Sequence, residues 1–312
     1  MIHIGFLGTP ALAGSVLTTF IHHPNFSVDF VVTNPDKPVG RSQILTPSPV
    51  KIIAESGNIP VFTPQKIRWN IEFLSSLQDF PIDYLIVVAY GKILPIEILS
   101  LPKKRAINVH GSLLPKYRWA SPIQESLLQG DIITGVTIME MSEWMDEGDS
   151  IFTKEIPISN QETTESLFEK FMNVSWEALI HAIQWLENNT ILPIPQDHTK
   201  ATYCTKILKE HGLINWDMPA KKLYNLWQAY TPWPGIYTFY EWKRLLIEQC
   251  EYTNENIDNQ TIGTVIKRND NSIEVICWTG RLKLYSVKLE GKTTQDIHTF
   301  LLGKPHFIWS LL

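Results

Sequence analysis

Three side chains in the middle of this sequence are able, between them, to do chemistry on a carbonyl: Asn108, His110 and Asp146. Asn108 does not titrate, and its amide offers two donors for an oxyanion that builds up in a transition state. An imidazole such as that of His110 carries or releases a proton near neutral pH. A carboxylate such as Asp146 orients an imidazole or relays a proton through water. With no serine or cysteine poised as a nucleophile, the set points to acyl transfer in which the substrate itself attacks. The plainer alternative is that Asn108 and His110 merely end a strand while Asp146 sits on a solvated turn.

These residues need elements to hold them. Residues 105–110 read as a strand, with Ile107 and Val109 on one face and Asn108 and His110 on the other. Side chains at i and i+2 stand roughly 6.5–7 Å apart, room for one small reacting group between amide and imidazole. Gly111 to Pro115 turns the chain, and Lys116 and Arg118 add positive charge there. A helix follows, then a second strand over 135–141 and the acidic loop that carries Asp146. Upstream, strands at 2–7, 28–33 and 84–89 alternate with helical patterns at 11–22, 49–56 and 70–77. Such alternation predicts an α/β fold with a doubly wound, mostly parallel sheet. Ligands of these sheets bind beyond the carboxyl ends of the strands, where Tyr90, Gly91 and His110 fall. Ala89, Tyr90 and Gly91 are suited to clamp a flat heterocycle and read its edge with backbone groups, whereas Leu85, Ile86 and Val87 read as core. Gly5, Gly8 and Thr9 lack the full dinucleotide pattern and read as a tight strand-to-helix turn.

Residues 34–50 hold four prolines and read as a long loop without regular structure, with Arg41 as a cation at its tip. Downstream, a strand over 151–156 precedes an amphipathic helix over 164–188, whose stripe runs Leu167, Phe168, Phe171, Met172, Trp176, Leu179, Ile180, Ile183 and Leu186. The proline-bearing stretch 189–206 reads as a linker between domains 1–188 and 207–312. The tail opens on a helix over 219–230 with Asp217 as its expected cap. Five short apolar-alternating runs between 235 and 288 predict a smaller C-terminal β-barrel of the OB type. Aromatics on such a barrel stack on nucleotides when exposed, but Trp233, Trp278 and Tyr285 read first as core side chains.

Composition narrows the class. At 312 residues, the chain is long enough for two cores, and 44% hydrophobic with 19% charged residues is ordinary for a soluble globular protein. The three cysteines are far apart, so neither a disulfide framework nor a zinc site is expected. The start lacks a signal-peptide pattern and no apolar run reaches about 18–20 residues, which predicts a cytoplasmic protein with no membrane partner. Residues 1–205 carry 14 basic against 21 acidic side chains, and residues 206–312 carry 13 against 11. A tail with two net positive charges is compatible with a phosphate backbone but does not decide the matter.

The run Asn108-Val109-His110-Gly111-Ser112-Leu113-Leu114-Pro115, with Tyr117-Arg118, Pro122-Ile123-Gln124 and Gly135-Val136-Thr137-Ile138, resembles the core of the folate-dependent formyltransferases. Asp146 stands where that family keeps its catalytic aspartate, and the Gly8-Thr9-Pro10 start is shared as a wall of the site. The resemblance implies 10-formyltetrahydrofolate as the formyl donor, no metal, and a pterin ring held by Ala89, Tyr90, Gly91, Ser112, Leu113, Leu114 and Pro115. The loop at 34–50 resembles the insertion with which family members acting on initiator methionyl-tRNA grip the acceptor end, and Arg41 would make that contact. Ser42 and Gln43 replace a more basic run there, and Trp119 replaces the family's usual glycine after the arginine. The implied partner is tRNA rather than DNA, bound by a monomer. Two alternatives stay open: a formyltransferase for a small amine such as a purine precursor or amino sugar, and a folate- or RNA-binding module that has lost catalysis.

Overall fold

The computed structural model describes residues 1–40, 42–257 and 260–312. They form two compact units. The first comprises Met1–Pro122, Ile133–Pro157 and Phe168–Cys204, the second Ile123–Ile132, Ile158–Leu167 and Thr205–Leu312. Residues 189–204, expected as a linker, thus belong to the first unit, and two internal segments group with the tail. Among the described residues no helix is long and apolar enough to cross a membrane.

In chain order the first part runs β1 (Ile2–Gly8), α1 (Ala11–His22), β2 (Phe26–Val32), β3 (Lys37–Val39), β4 (Ile44–Thr46), α2 (Pro49–Ser56), β5 (Val61–Phe62), α3 (Ile71–Gln78), β6 (Tyr84–Val88) and α4 (Ile96–Leu99). It continues with β7 (Arg105–His110), β8 (Arg118–Trp119), α5 (Pro122–Gln129), β9 (Ile133–Glu140), β10 (Ser150–Pro157), α6 (Thr164–Glu187) and β11 (Tyr203–Cys204). Seven strands make one sheet in the order β10-β9-β7-β6-β1-β2-β5. The strands β7, β6, β1, β2 and β5 are mutually parallel. Central among them, β6 is a continuous apolar run: Tyr84 to Val88 are all buried, as expected for Leu85, Ile86 and Val87. Order reverses on either side of β1, so the crevice at the ends of β1 and β6 is the ligand-binding switch point of such sheets.

Two local expectations change. β9 runs antiparallel to β7, and β10 antiparallel to β9, so α5 is not a crossover between parallel strands. Periodicity marks a strand but carries no direction, and only the pairing reveals the turn-back. The stretch 34–50 contains an exposed antiparallel hairpin, β3–β4, whose short strands lie between turn-forming residues. Arg41 lies outside the described residues. In α6 the stripe is buried at Leu167, Phe171, Leu179, Ile180 and Ile183, while Trp176 is exposed and the small Ala178 and Ala182 face inward instead.

The second unit contains α7 (Ala220–Tyr230), β12 (Ile236–Tyr240), β13 (Lys243–Thr253), β14 (Val265–Lys267), β15 (Ile273–Ile276), β16 (Arg281–Leu289), β17 (Gln295–Asp296) and α8 (Ile297–Gly303). Its antiparallel sheet runs β12-β13-β16-β15-β14, with β17 added on β16, a half-barrel built from the five runs read in the sequence. Asp217 does not cap α7: the N-cap is Pro219, and the Ala220 N–H donates to the Thr279 carbonyl. Trp233 and Trp278, read as core, are 57% and 63% exposed. Tyr285 is half-buried, and its hydroxyl donates to Glu251.

Candidate active site

The end of β7 supplies the first two groups. Its alternation buries Ile107 and Val109 and brings Asn108 and His110 to a shared face, Asn108 half-buried and His110 only 5% exposed. The third group arrives from the loop between β9 and β10. Asp146 Oδ1 lies 3.7 Å from His110 Nδ1, too long for a hydrogen bond but close enough for the charges to act on each other. The other ring nitrogen is engaged: His110 Nε2 stands 2.9 Å from the Tyr117 carbonyl oxygen. A carbonyl only accepts, so Nε2 carries the N–H and Nδ1 is the nitrogen that gains or loses a proton. The sequence places these residues 36 positions apart, and the fold brings imidazole and carboxylate together.

Backbone around the pair is held in an uncommon state. Ala89 (φ 46°), Tyr117 (59°), Trp119 (82°), Ser121 (63°) and Asp146 (59°) all have left-handed φ. Non-glycine residues adopt it at a cost of roughly 1–2 kcal/mol each, and such residues gather at functional sites. The φ of 82° at Trp119 is one that glycine, the residue expected there, adopts without strain. Here the tryptophan ring leans on Tyr203, centroids 4.7 Å apart, and both rings are about half exposed. The Trp119 N–H donates to Asp146 Oδ2 at 2.8 Å, fixing which carboxylate oxygen is left to face His110.

The residues expected to bind the donor divide. Ala89 and Gly91 are exposed after β6, and Gly91 has a φ of 76° with no heavy atom within 4 Å of where a Cβ would stand. That leaves open space beside an accessible backbone, as a flat ring requires. Leu113, Leu114 and Pro115 are half-buried across the turn after β7. They fit an apolar wall for the same ring. Tyr90 and Ser112 are buried instead. The Tyr90 ring is 2% exposed and sits in the core with Leu7, Val87 and Leu94; burial pushes its hydroxyl up to about 12. Its carbonyl accepts from Asn34 Nδ2 at 3.0 Å, and the same amide donates to Thr9 Oγ1, so Asn34 ties the ends of β1, β2 and β6 together. Ser112 is fully buried, its hydroxyl donating to the Lys116 carbonyl and its own carbonyl accepting from Thr137 Oγ1. Its side chain is engaged within the turn.

Sequence reading missed the supports. Arg118 is fully buried, and its Nε and Nη2 donate to Gln196 Oε1 at 3.2 and 2.8 Å. Its Nη2 also lies 3.2 Å from His198 Nδ1. Its Nη1 is 3.3 Å from Glu147 Oε1, within charge-pairing range though not in hydrogen-bond geometry. Gln196 Nε2 donates to the carbonyls of Asp146 (2.9 Å) and Gly148 (2.7 Å). The signal available was the pair of polar residues in a proline-bearing stretch, which composition alone assigns to solvent. Among the described residues no group of three or more His, Cys, Asp or Glu side chains is arranged to hold a metal ion.

Comparison with known proteins places the chain in a family. A family described as Formyl transferase matches residues 4–183, and one described as Formyl transferase, C-terminal domain, matches 206–305. The chain is 42% identical to the methionyl-tRNA formyltransferase of Caldicellulosiruptor saccharolyticus over 96% of each chain, and 36% identical to that of Clostridium novyi over 99% of each. In fold it resembles the N-formyltransferase from Helicobacter canadensis, solved in complex with folinic acid and dTDP-3-aminofucose: TM-score 0.67 at 19% identity, covering 91% of this chain and 99% of that one. With catalytic half and tail both matched along nearly their full length, the chain belongs to the methionyl-tRNA formyltransferase family.

Proposed function

We propose that the chain transfers a formyl group from 10-formyltetrahydrofolate to the α-amine of initiator methionyl-tRNA in the cytoplasm, with Asn108, His110 and Asp146 as its catalytic residues. The observation that carries the assignment of residues is the approach of His110 Nδ1 to Asp146 Oδ1 at the carboxyl end of β7, on the strand face that also bears Asn108.

When bound, the donor supplies the formyl carbon as an electrophile; the tRNA-borne amine is itself the nucleophile once neutral. The residues act on the charge and protons that this attack generates. Asn108 offers amide donors to the negative charge growing on the formyl oxygen. His110, protonated at Nδ1, adds a second donor, with its ring held by the Tyr117 carbonyl. Asp146 faces that ring with its carboxylate and takes part in moving the amine's proton toward the departing N10. The exposed backbone of Ala89 and Gly91 and the apolar Leu113, Leu114 and Pro115 suit the pterin ring. The exposed β3–β4 hairpin suits the acceptor end, and exposed Trp233 and Trp278 suit stacking on nucleotides.

Asn108→Ala and Asp146→Ala are each expected to lower kcat by about 10²–10³-fold, in line with the loss of a positioned donor or charge, while circular dichroism stays that of the parent. Near-normal turnover in either purified variant removes this mechanism. Parallel assays with charged initiator and charged elongator tRNA test the substrate. Formylation of neither favours a binding module, and equal formylation of both removes the discriminating role given to the hairpin.

A further inference from the structure

We propose that Gln196 is a positioning residue for Asp146, acting from the stretch that reads as a linker. The inference rests on the catalytic reading of Asp146 above. Gln196 is 7% exposed and its amide is fully used. Its oxygen accepts from two nitrogens of Arg118, and its nitrogen donates to the carbonyls of Asp146 and Gly148. A guanidinium has only donors and a carbonyl only accepts, so the amide has one possible orientation. A glutamate or a flipped amide would turn oxygen against two carbonyl oxygens.

Local chain geometry does not hold the aspartate by itself. Asp146 has φ 59°, a conformation that non-glycine residues adopt only when surrounding structure over-determines it. Gln196 grips the main chain on both sides of Glu147, while the Trp119 N–H holds Oδ2. Oδ1 is thereby left facing His110 Nδ1 at 3.7 Å. That gap is longer than a hydrogen bond, so a small displacement of the loop decides whether carboxylate and imidazole engage. Arg118, with no exposed surface, completes the support by fixing the acceptor side of the Gln196 amide. Gln196 touches main chain and Arg118 rather than reacting atoms, and its effect on the reaction passes through the carboxylate.

The test uses the full chain with 10-formyltetrahydrofolate and methionyl-tRNA. Gln196→Ala and Gln196→Glu are made in the parent and in an Asp146→Asn background, and kcat and KM are measured for both substrates. In the parent each change is expected to lower kcat on the order of 10–100-fold, with both KM values within about twofold, as a misplacement near 1 Å does. In the Asp146→Asn background the same changes are expected to cost less than about threefold, because residues acting through one group are not additive. Gln196→Glu keeps side-chain volume and the Arg118 contact, and carries the test should the alanine variant not fold. Equal losses in the two backgrounds, or a raised KM with unchanged kcat, overturn the proposal. An impaired Asp146→Asn enzyme with indifferent Gln196 variants overturns it alone. Full turnover by Asp146→Asn overturns the catalytic reading and this proposal with it.

Discussion

Two loops of the first unit are built in opposite ways. The loop from Met141 to Asp149 is tied down at its ends and around Asp146, while Glu143 to Met145 are exposed. Gln196 takes two of its carbonyls, Trp119 donates to the Asp146 carboxylate, Glu140 N–H reaches the Asp149 carbonyl, and Gly148 packs against the Glu140 carbonyl. The β3–β4 hairpin pairs mainly with itself, and Val39, Ile44 and Leu45 are each more than half exposed. The contrast separates two demands. Under the proposed function the first serves proton transfer, which needs groups fixed to fractions of an ångström, and the second a large partner, which tolerates a surface that settles on contact.

Breaking the rigid side of this comparison has the larger expected effect. At Gly148 an added Cβ would run into the Glu140 carbonyl oxygen, a backbone atom rather than the end of a flexible side chain. Gly148→Ala is expected to lower kcat about 100-fold by shifting the loop, measured in steady-state formylation; a rate within a few-fold of the parent would show that the loop is less constrained than its contacts imply. On the open side, Ile44→Ser with Leu45→Ser is expected to change stability by less than about 0.5 kcal/mol in denaturant titration. The same pair is expected to raise KM for methionyl-tRNA several-fold at unchanged kcat. An unaltered KM would make the hairpin ordinary solvated surface. The smallest effect concerns the turn just after Gln196. Hydrogen bonds from the Thr199 side chain, then Lys200 and the Thr199 N–H, pull the Asp197 carboxyl down to about 2 from 3.8. A depressed folded value stabilises above pH 3.8 and loses that contribution as pH falls through about 2. Asp197→Ala is expected to lower Tm by at most a degree or two near neutral pH, the difference from the parent shrinking between pH 4 and 2.

The same contrast explains what was legible in the sequence. The face shared by Asn108 and His110 follows from alternation along one strand, and the buried run at Tyr84 to Val88 follows from its unbroken hydrophobicity. The half-barrel strands follow from short alternating runs between turns. These are local patterns. Antiparallel β9 was not legible, because its direction depends on which partner it meets. Buried Arg118 and Gln196 were not legible either: polar types predict exposure, and only the fold reveals that they satisfy each other. Trp233 and Trp278 failed the other way, since large aromatics predict burial that the tail does not give them. Asn34 was visible only as the start of a loop, although its amide joins three strand ends.

The hydrogen bonds from Gln196 also bear on synthesis of the chain. Asp146 leaves the ribosome 50 residues before the amide that holds its main chain. Domains tend to fold as they emerge, yet this loop has to wait for an arriving strap, and β11 then pairs with β8 to fasten it. A nascent chain halted at the end of α6 would carry Asn108, His110 and Asp146 and still lack the amide that holds the main chain of Asp146.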